Sequence, residues 1–195
     1  MSFVIRSCKK SFRLTRSIVV KKVKSLNRSI VESSGETVIS NRQRAKKIDL
    51  RFLRRIVAEL LKELKIDCAD LEINLVGAAE MAEINWQFLR HEGSTDVITF
   101  NYSNSEFGIR NSEFKSQGEI FICVDEAILQ AKKFKTNWQS EIVRYVIHGV
   151  LHLLGDDDLH AAARKKMKRE ENRLLRELSK RFSLAQLSPR AKLGA

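Results

Sequence analysis

His148-Gly-Val-Leu-His152-Leu-Leu-Gly155-Asp-Asp-Asp158-Leu-His160 is the stretch that decides how this chain is read. Histidines four apart fall one turn apart on one helical face. Gly155, three residues later, suits a left-handed helix ending that turns the chain back. Ligand-type side chains follow immediately, and three of the chain's four histidines lie in this stretch. A helix followed by such a turn is a way to build a zinc site. By the spacing H-x-x-x-H-x-x-G-x-x-[H/D] the third ligand is Asp158; His160, two residues on, is the softer alternative. Asp157 is a candidate to orient a ligand imidazole from behind, and Asp156 reads as a solvated acidic turn. The residue after His148 matters as much. Zinc peptidases of the H-E-x-x-H pattern carry their general-base glutamate there, and this chain has Gly149.

Working outward, the pattern predicts a mixed order of strands and helices. Thr37–Asn41 reads as a short strand. Asp49 is placed to cap a helix over 50–65, with Leu50, Leu53, Ile56, Val57, Leu60, Leu61 and Leu64 facing a core. Leu71-Glu-Ile73-Asn-Leu75 alternates as a strand. A helix is expected over 78–89 with Met81, Ile84 and Phe88 inward. The β-branched and aromatic runs Val97–Phe100 and Ile120–Val124 predict strands, joined through a polar connection. Asp125 is expected to cap a helix to about Lys135. Trp138–Leu154 is the metal-bearing helix, and 161–180 a last, highly charged one. Without regular βαβ alternation, the class is α+β.

Length and composition bound the rest. A chain of 195 residues with 43% hydrophobic content has a real core in one domain. The net charge of +12 is unevenly placed. Residues 1–36 carry nine Lys/Arg against Glu32 and Glu36, and 181–195 add Arg181, Arg190 and Lys192 without an acid. We expect a poorly ordered basic extension at 1–36, one domain over 37–180 and a basic tail at 181–195. Basic ends on a near-neutral domain point to a polyanionic partner, nucleic acid first, or serve solubility alone. The extension has the composition of an RNA-binding arm, of an organellar transit peptide or of an over-extended start. Cys8, Cys68 and Cys123 are scattered, which argues against a disulfide framework and fits a reducing compartment. That compartment is the cytoplasm, or an organellar stroma or matrix if 1–36 is a transit peptide. No apolar run approaches a membrane span.

Three blocks carry a family resemblance. His148–Asp158 reads H-G-V-L-H-L-L-G-D-D-D, against the H-G-x-L-H-L-x-G-Y-D-H of the YbeY family. Ile84-Asn85-Trp-Gln-Phe88-Leu89-Arg90 and Thr95-Asp96-Val97-Ile98-Thr99-Phe100 resemble that family's L-N-x-x-Y-R…T-D-V-L-S-F segment. Gly118-Glu119-Ile120-Phe121-Ile122-Cys123, followed by Gln130-Ala131, resembles its G-D-I-x-I-C strand. Met167 and Glu171 fall in register, and the likeness runs over roughly 37–180. It implies a zincin-like fold, with a small mixed sheet packed with helices and one zinc ion per chain on a central helix and the turn after it. It implies a single-strand-specific, metal-dependent endoribonuclease acting on ribosomal RNA and the small ribosomal subunit, in late maturation of the 16S 3′ end and ribosome biogenesis. The family's third histidine falls on Asp158, and its arginine falls on Leu89, so Arg90 is the catalytic candidate that would hold a phosphate. Two other readings stand beside it. One is a non-catalytic assembly or RNA-binding factor with a structural zinc, for which a closed sphere using both Asp158 and His160 would speak. The other is a metallopeptidase, which Gly149 disfavours.

Overall fold

Side chains alternate across a strand, so each strand's apolar positions choose the face that carries the core. The computed structural model describes residues 3–5, 36–66, 69–102, 116–156 and 158–189. In chain order the elements are β1 (Phe3–Ile5), β2 (Thr37–Asn41), α1 (Leu50–Glu63), β3 (Ala69–Val76), α2 (Ala78–Leu89), β4 (Val97–Asn101), β5 (Ser116–Cys123), α3 (Val124–Phe134), α4 (Trp138–Leu153) and α5 (Ala161–Arg181), then a 3-10 turn, Leu184–Leu187. The strands form one sheet in the order β1-β4-β5-β3-β2. β4 is antiparallel to β5 and every other neighbouring pair is parallel. This is the α+β, zincin-like architecture expected from the sequence.

The two faces of the sheet differ. Leu71, Ile73 and Leu75 of β3, Val97 of β4, and Ile120 and Ile122 of β5 pack with α1, α3, α4 and α5 in the main core. The alternate positions Val76, Ile98, Phe100, Phe121 and Cys123 make a smaller core with Met81 of α2. So α4 and α2 lie on opposite faces. Asp49 caps α1 as expected, its Oδ1 accepting from Phe52 N at 3.0 Å. Asn137 does the same for α4, accepting from Ser140 N at 2.8 Å. α4 buries Ile142, Val143, Val146, Ile147, Val150 and Leu151, the mark of a helix enclosed on most sides.

Several expectations change at the margins. Phe88 is 47% exposed; it rests edge-on against Phe100 at 4.9 Å. Asn85 takes the inward place, donating through Nδ2 to the Gly93 carbonyl at 2.9 Å. The core beneath α2 is small and admits only a narrow apolar stripe. Leu154 falls just beyond α4 and is exposed. Asp125 lies in the first turn of α3 and caps the neighbouring helix instead, its Oδ2 accepting from Ala78 N, the first residue of α2, at 2.7 Å.

The domain limits move too. Within the basic extension, Phe3–Ile5 pairs in parallel with Ile98–Phe100; residues 1–2 and 6–35 lie outside the described residues. At the other end, 182–189 is part of the fold rather than a tail. Leu184 and Leu187 are buried in the main core, the Phe182 ring meets Phe52 edge-on at 5.8 Å, and Asp49 N donates to the Leu187 carbonyl at 2.9 Å. Two leucines at turn spacing find apolar surface between α1 and α4, which their burial stabilises. Residues 190–195 lie outside the described residues. Among the described residues no helix is long and apolar enough to cross a membrane.

Candidate metal centre

The sequence spacing puts His148 and His152 on one side of α4, near its C-terminal end. Gly155 follows at φ +96°, the turn expected of it. That turn carries Asp158 back, so ligand atoms of His148, His152 and Asp158 all lie within 4.8 Å of one another. Among the described residues this is the one such group of metal-ligating side chains.

Each imidazole is held from behind. His148 Nδ1 sits 2.5 Å from Glu171 Oε1 on α5. His152 Nδ1 sits 2.9 Å from the Asp156 carbonyl oxygen. A carbonyl and a carboxylate accept, so both Nδ1 atoms carry the proton, an assignment made from these partners. Each Nε2 is then left with its lone pair, and the two Nε2 atoms face each other at 2.9 Å. Two acceptors so close have nothing to share unless a cation lies between them. With a carboxylate beside them, this N,N,O donor set fits a divalent metal such as zinc.

The support for Glu171 continues outward. Arg144 Nη1 lies 3.6 Å from its other oxygen, Oε2, and also donates to Asn172 Oδ1 at 2.7 Å. Glu171 is buried, so its charge is compensated by these neighbours rather than by water. The sequence reading took Glu171 only as a register mark. A signal for more was present. Met167, Glu171, Leu174 and Leu178 share one buried face of α5, and a carboxylate in a core-facing stripe needs a partner. Glu171→Gln is expected to weaken metal affinity by about 10–100-fold. Titration of the metal-free protein with zinc measures it, and unchanged affinity would remove the orienting role.

Burial first, and then the facing His148 ring, hold the His152 imidazole below its ordinary value of 6.5. An unfolded histidine takes up a proton near pH 6.5, whereas folded His152 does so only at lower pH. Between the two values the unfolded chain binds more protons, so stability is lost as the pH falls through that range. Metal-free protein should melt at a steady temperature above about pH 6.5, and at lower temperatures just beneath it. His152→Gln should flatten this step in a thermal melt series. A melting temperature that rises as the pH falls would contradict the assignment.

Gly149 has a steric explanation. A Cβ there would lie 2.7 Å from Ile120 Cγ2 and 2.8 Å from Ile120 Cδ1, and Ile120 is fully buried. α4 therefore rests on β5 through its glycine, and the peptidase glutamate has no room.

The other sequence candidates fall elsewhere. His160 is exposed at the N-cap position of α5 and outside the cluster. Asp158, rather than His160, is the side chain brought beside the two imidazoles. Asp157 lies outside the described residues. Asp156, read as a solvated turn, offers its backbone oxygen to His152 and its Oδ1 to Lys166 Nζ at 2.9 Å. Arg90 ends α2 in the left-handed conformation, φ 58° and ψ 31°, with its guanidinium 5.8 Å from the Trp86 ring. α2 packs on the sheet face opposite α4. Thr99, within the second block of the resemblance, is fully buried on the α4 face of β4, and its Oγ1 has no hydrogen-bond partner among the described residues.

Fold and cluster together define the class: a zincin-like α+β protein with a group of metal-ligating side chains on a central helix and the turn after it. Residues 38–179 match the family described as Endoribonuclease YbeY. The chain belongs to the YbeY endoribonuclease family. Relatives bearing that name include one from Chlorobium phaeovibrioides, 34% identical over 126 residues, covering 65% of this chain and 80% of that protein. One from Syntrophus aciditrophicus is 37% identical over 132 residues, covering 67% and 80%. One from Protochlamydia amoebophila is 33% identical over 141 residues, covering 72% and 91%. The solution structure of TM1509 from Thermotoga maritima has the same fold, with a TM-score of 0.54, 21% identity, and coverage of 82% of this chain and 99% of that one.

Proposed function

We propose that this chain is a zinc-dependent endoribonuclease that cuts single-stranded ribosomal RNA, in late maturation of the 16S 3′ end on the small ribosomal subunit in the cytoplasm. The observation that carries the reading is the facing pair of bare Nε2 atoms, 2.9 Å apart, beside the Asp158 carboxylate. His148, His152 and Asp158 would hold the ion. A bound zinc supplies Lewis acidity at a phosphoryl oxygen and an acidified water. The chain's own residues do the positioning. Glu171 and the Asp156 carbonyl fix the two rings, so the ligand lone pairs are aimed before the ion arrives. Three protein ligands leave room for water or substrate, the arrangement of a catalytic site rather than a closed structural one. His160, which would close the sphere, lies outside that group, which supports an open site.

Gly149 separates this reading from proteolysis. A peptidase moves a proton to its leaving amine with the glutamate beside the first histidine, and packing against Ile120 excludes that glutamate here. Cleavage of a phosphodiester depends chiefly on stabilising charge on the phosphoryl oxygens. No step is assigned to Arg90. Purified protein loaded with zinc should cut an unstructured RNA and leave a peptide of mixed sequence intact, and a chelator should stop the cutting. Intact RNA in the presence of stoichiometric bound zinc would overturn the reading.

A further inference from the structure

Helix α5 carries nine lysines and arginines against three glutamates. All three glutamates are engaged. Glu171 faces His148, Glu170 takes Arg173 at 2.8 Å, and Glu177 takes Lys180 at 2.7 Å. On the seam with α1, Arg173 and Arg181 also pair with Glu63 and Glu59. Arg164 donates through Nε to the Asp158 carbonyl and Lys166 pairs with Asp156. Left over are Lys165, Lys168, Arg169 and Arg176, all exposed. At 3.6 residues per turn these four fall within roughly a third of the circumference. They lie opposite Met167, Leu174 and Leu178, which face the core.

The row is not explained by helix stability. Lys165 and Arg169 are one turn apart and repel, where an acid in either place would attract. Nor does it look like a seat for a protein, since no exposed apolar anchor interrupts it. Its geometry suits a chain of repeating negative charge. Lys165 and Arg176 are separated by roughly 16 Å of helix rise, about five phosphates at the per-strand spacing of a duplex. The near end of the row is the metal turn, because α5 begins three residues after Asp158.

We propose that the outer face of α5 is a track for the RNA backbone, leading the strand to the cluster of His148, His152 and Asp158. This rests on the endoribonuclease reading and adds to it the surface that carries the substrate. The backbone phosphates meet Lys165, Lys168, Arg169 and Arg176 without regard to base, which positions the strand and leaves selection to the site itself.

The test separates binding from cutting. Full-length protein is kept in chelator, and its affinity for a labelled oligouridylate is measured by fluorescence anisotropy across a salt series. The combined variant Lys165→Gln, Lys168→Gln, Arg169→Gln and Arg176→Gln should bind at least about tenfold more weakly. Its slope of log affinity against log salt should be shallower by about 3, at roughly 0.7 per single-strand phosphate contact. The half-variants Lys165→Gln/Lys168→Gln and Arg169→Gln/Arg176→Gln should each lose about half that slope, which guards against a fold defect in the fourfold change. Arg169→Lys/Arg176→Lys should bind as the parent does. Loss of Lys132 and Lys133 from α3 instead should cost little. The track is overturned if the fourfold variant keeps the parental affinity and slope, or if the α3 change costs as much. In the first case the row would serve an acidic protein instead. If the parent binds RNA through this row yet zinc-loaded protein never cuts it, the nuclease reading fails and the track stands.

Discussion

His152→Ala is expected to leave the purified chain without stoichiometric zinc and to abolish RNA cleavage. The loss should exceed the 10–100-fold that removal of an orienting partner costs. His152 is nearly fully buried and supplies one of the two facing Nε2 atoms, and no neighbouring side chain among the described residues takes its place. The stabilisation that bound metal gives the folded state should vanish with it, so added zinc should raise the melting temperature of the parent and not of the variant. The third position has its own contrast. Asp158→Ala should lose metal as His152→Ala does, and His160→Ala should keep it, because His160 lies outside the cluster at the exposed start of α5. Metal content by atomic absorption on the three purified variants decides the matter. Retention in Asp158→Ala together with loss in His160→Ala would reverse the assignment.

The second large effect is expected at Gly149. A methyl group there meets two carbons of Ile120 at 2.7 and 2.8 Å, and Ile120 has no solvent side to move toward. Gly149→Ala should destabilise the fold by about 1–3 kcal/mol, the cost of overpacking, reduced somewhat by alanine's better helix propensity. Gly149→Glu, which would recreate the peptidase motif, adds a buried carboxylate without a partner and should leave little folded protein. Pairing Gly149→Ala with Ile120→Ala restores the space. The two changes should then be far from additive in a double-mutant cycle read by urea denaturation. Additive losses would place the strain elsewhere. Activity gained against peptides by a folded Gly149→Glu protein would refute the steric account outright.

What could be read from the sequence divides along physical lines. The 3.6-residue apolar stripe from Leu53 to Leu60, and the runs Val97–Phe100 and Ile120–Cys123, declared their elements because burial on one face imposes a period. His148, His152 and Asp158 were brought together as the spacing indicated, since a helix and a one-glycine turn are local and leave little freedom. Long-range features were not legible. The carbonyl of Leu187 receives the amide of Asp49 across most of the chain, and no local pattern foretells such a partner. The same holds for Asp125, whose carboxylate caps a helix 47 residues earlier in the chain. Short elements also escaped. Phe3–Ile5 sits among lysines and arginines, and Leu184–Leu187 follows a charged helix, so composition hid both. Glu171 was visible only as a mark of register, because its meaning depends on which helix lies opposite.

The Asn101 side chain donates to the Leu153 carbonyl at 2.9 Å, at the last residue of the metal helix. Gly118, on the strand that returns, is packed against the Leu153 side chain with no room for a Cβ. β4 and β5 are therefore both moored to the residue next to His152. A shift of Leu153 would be felt on two strands at once, and a shift of either strand would reach the end of the helix that aims His152.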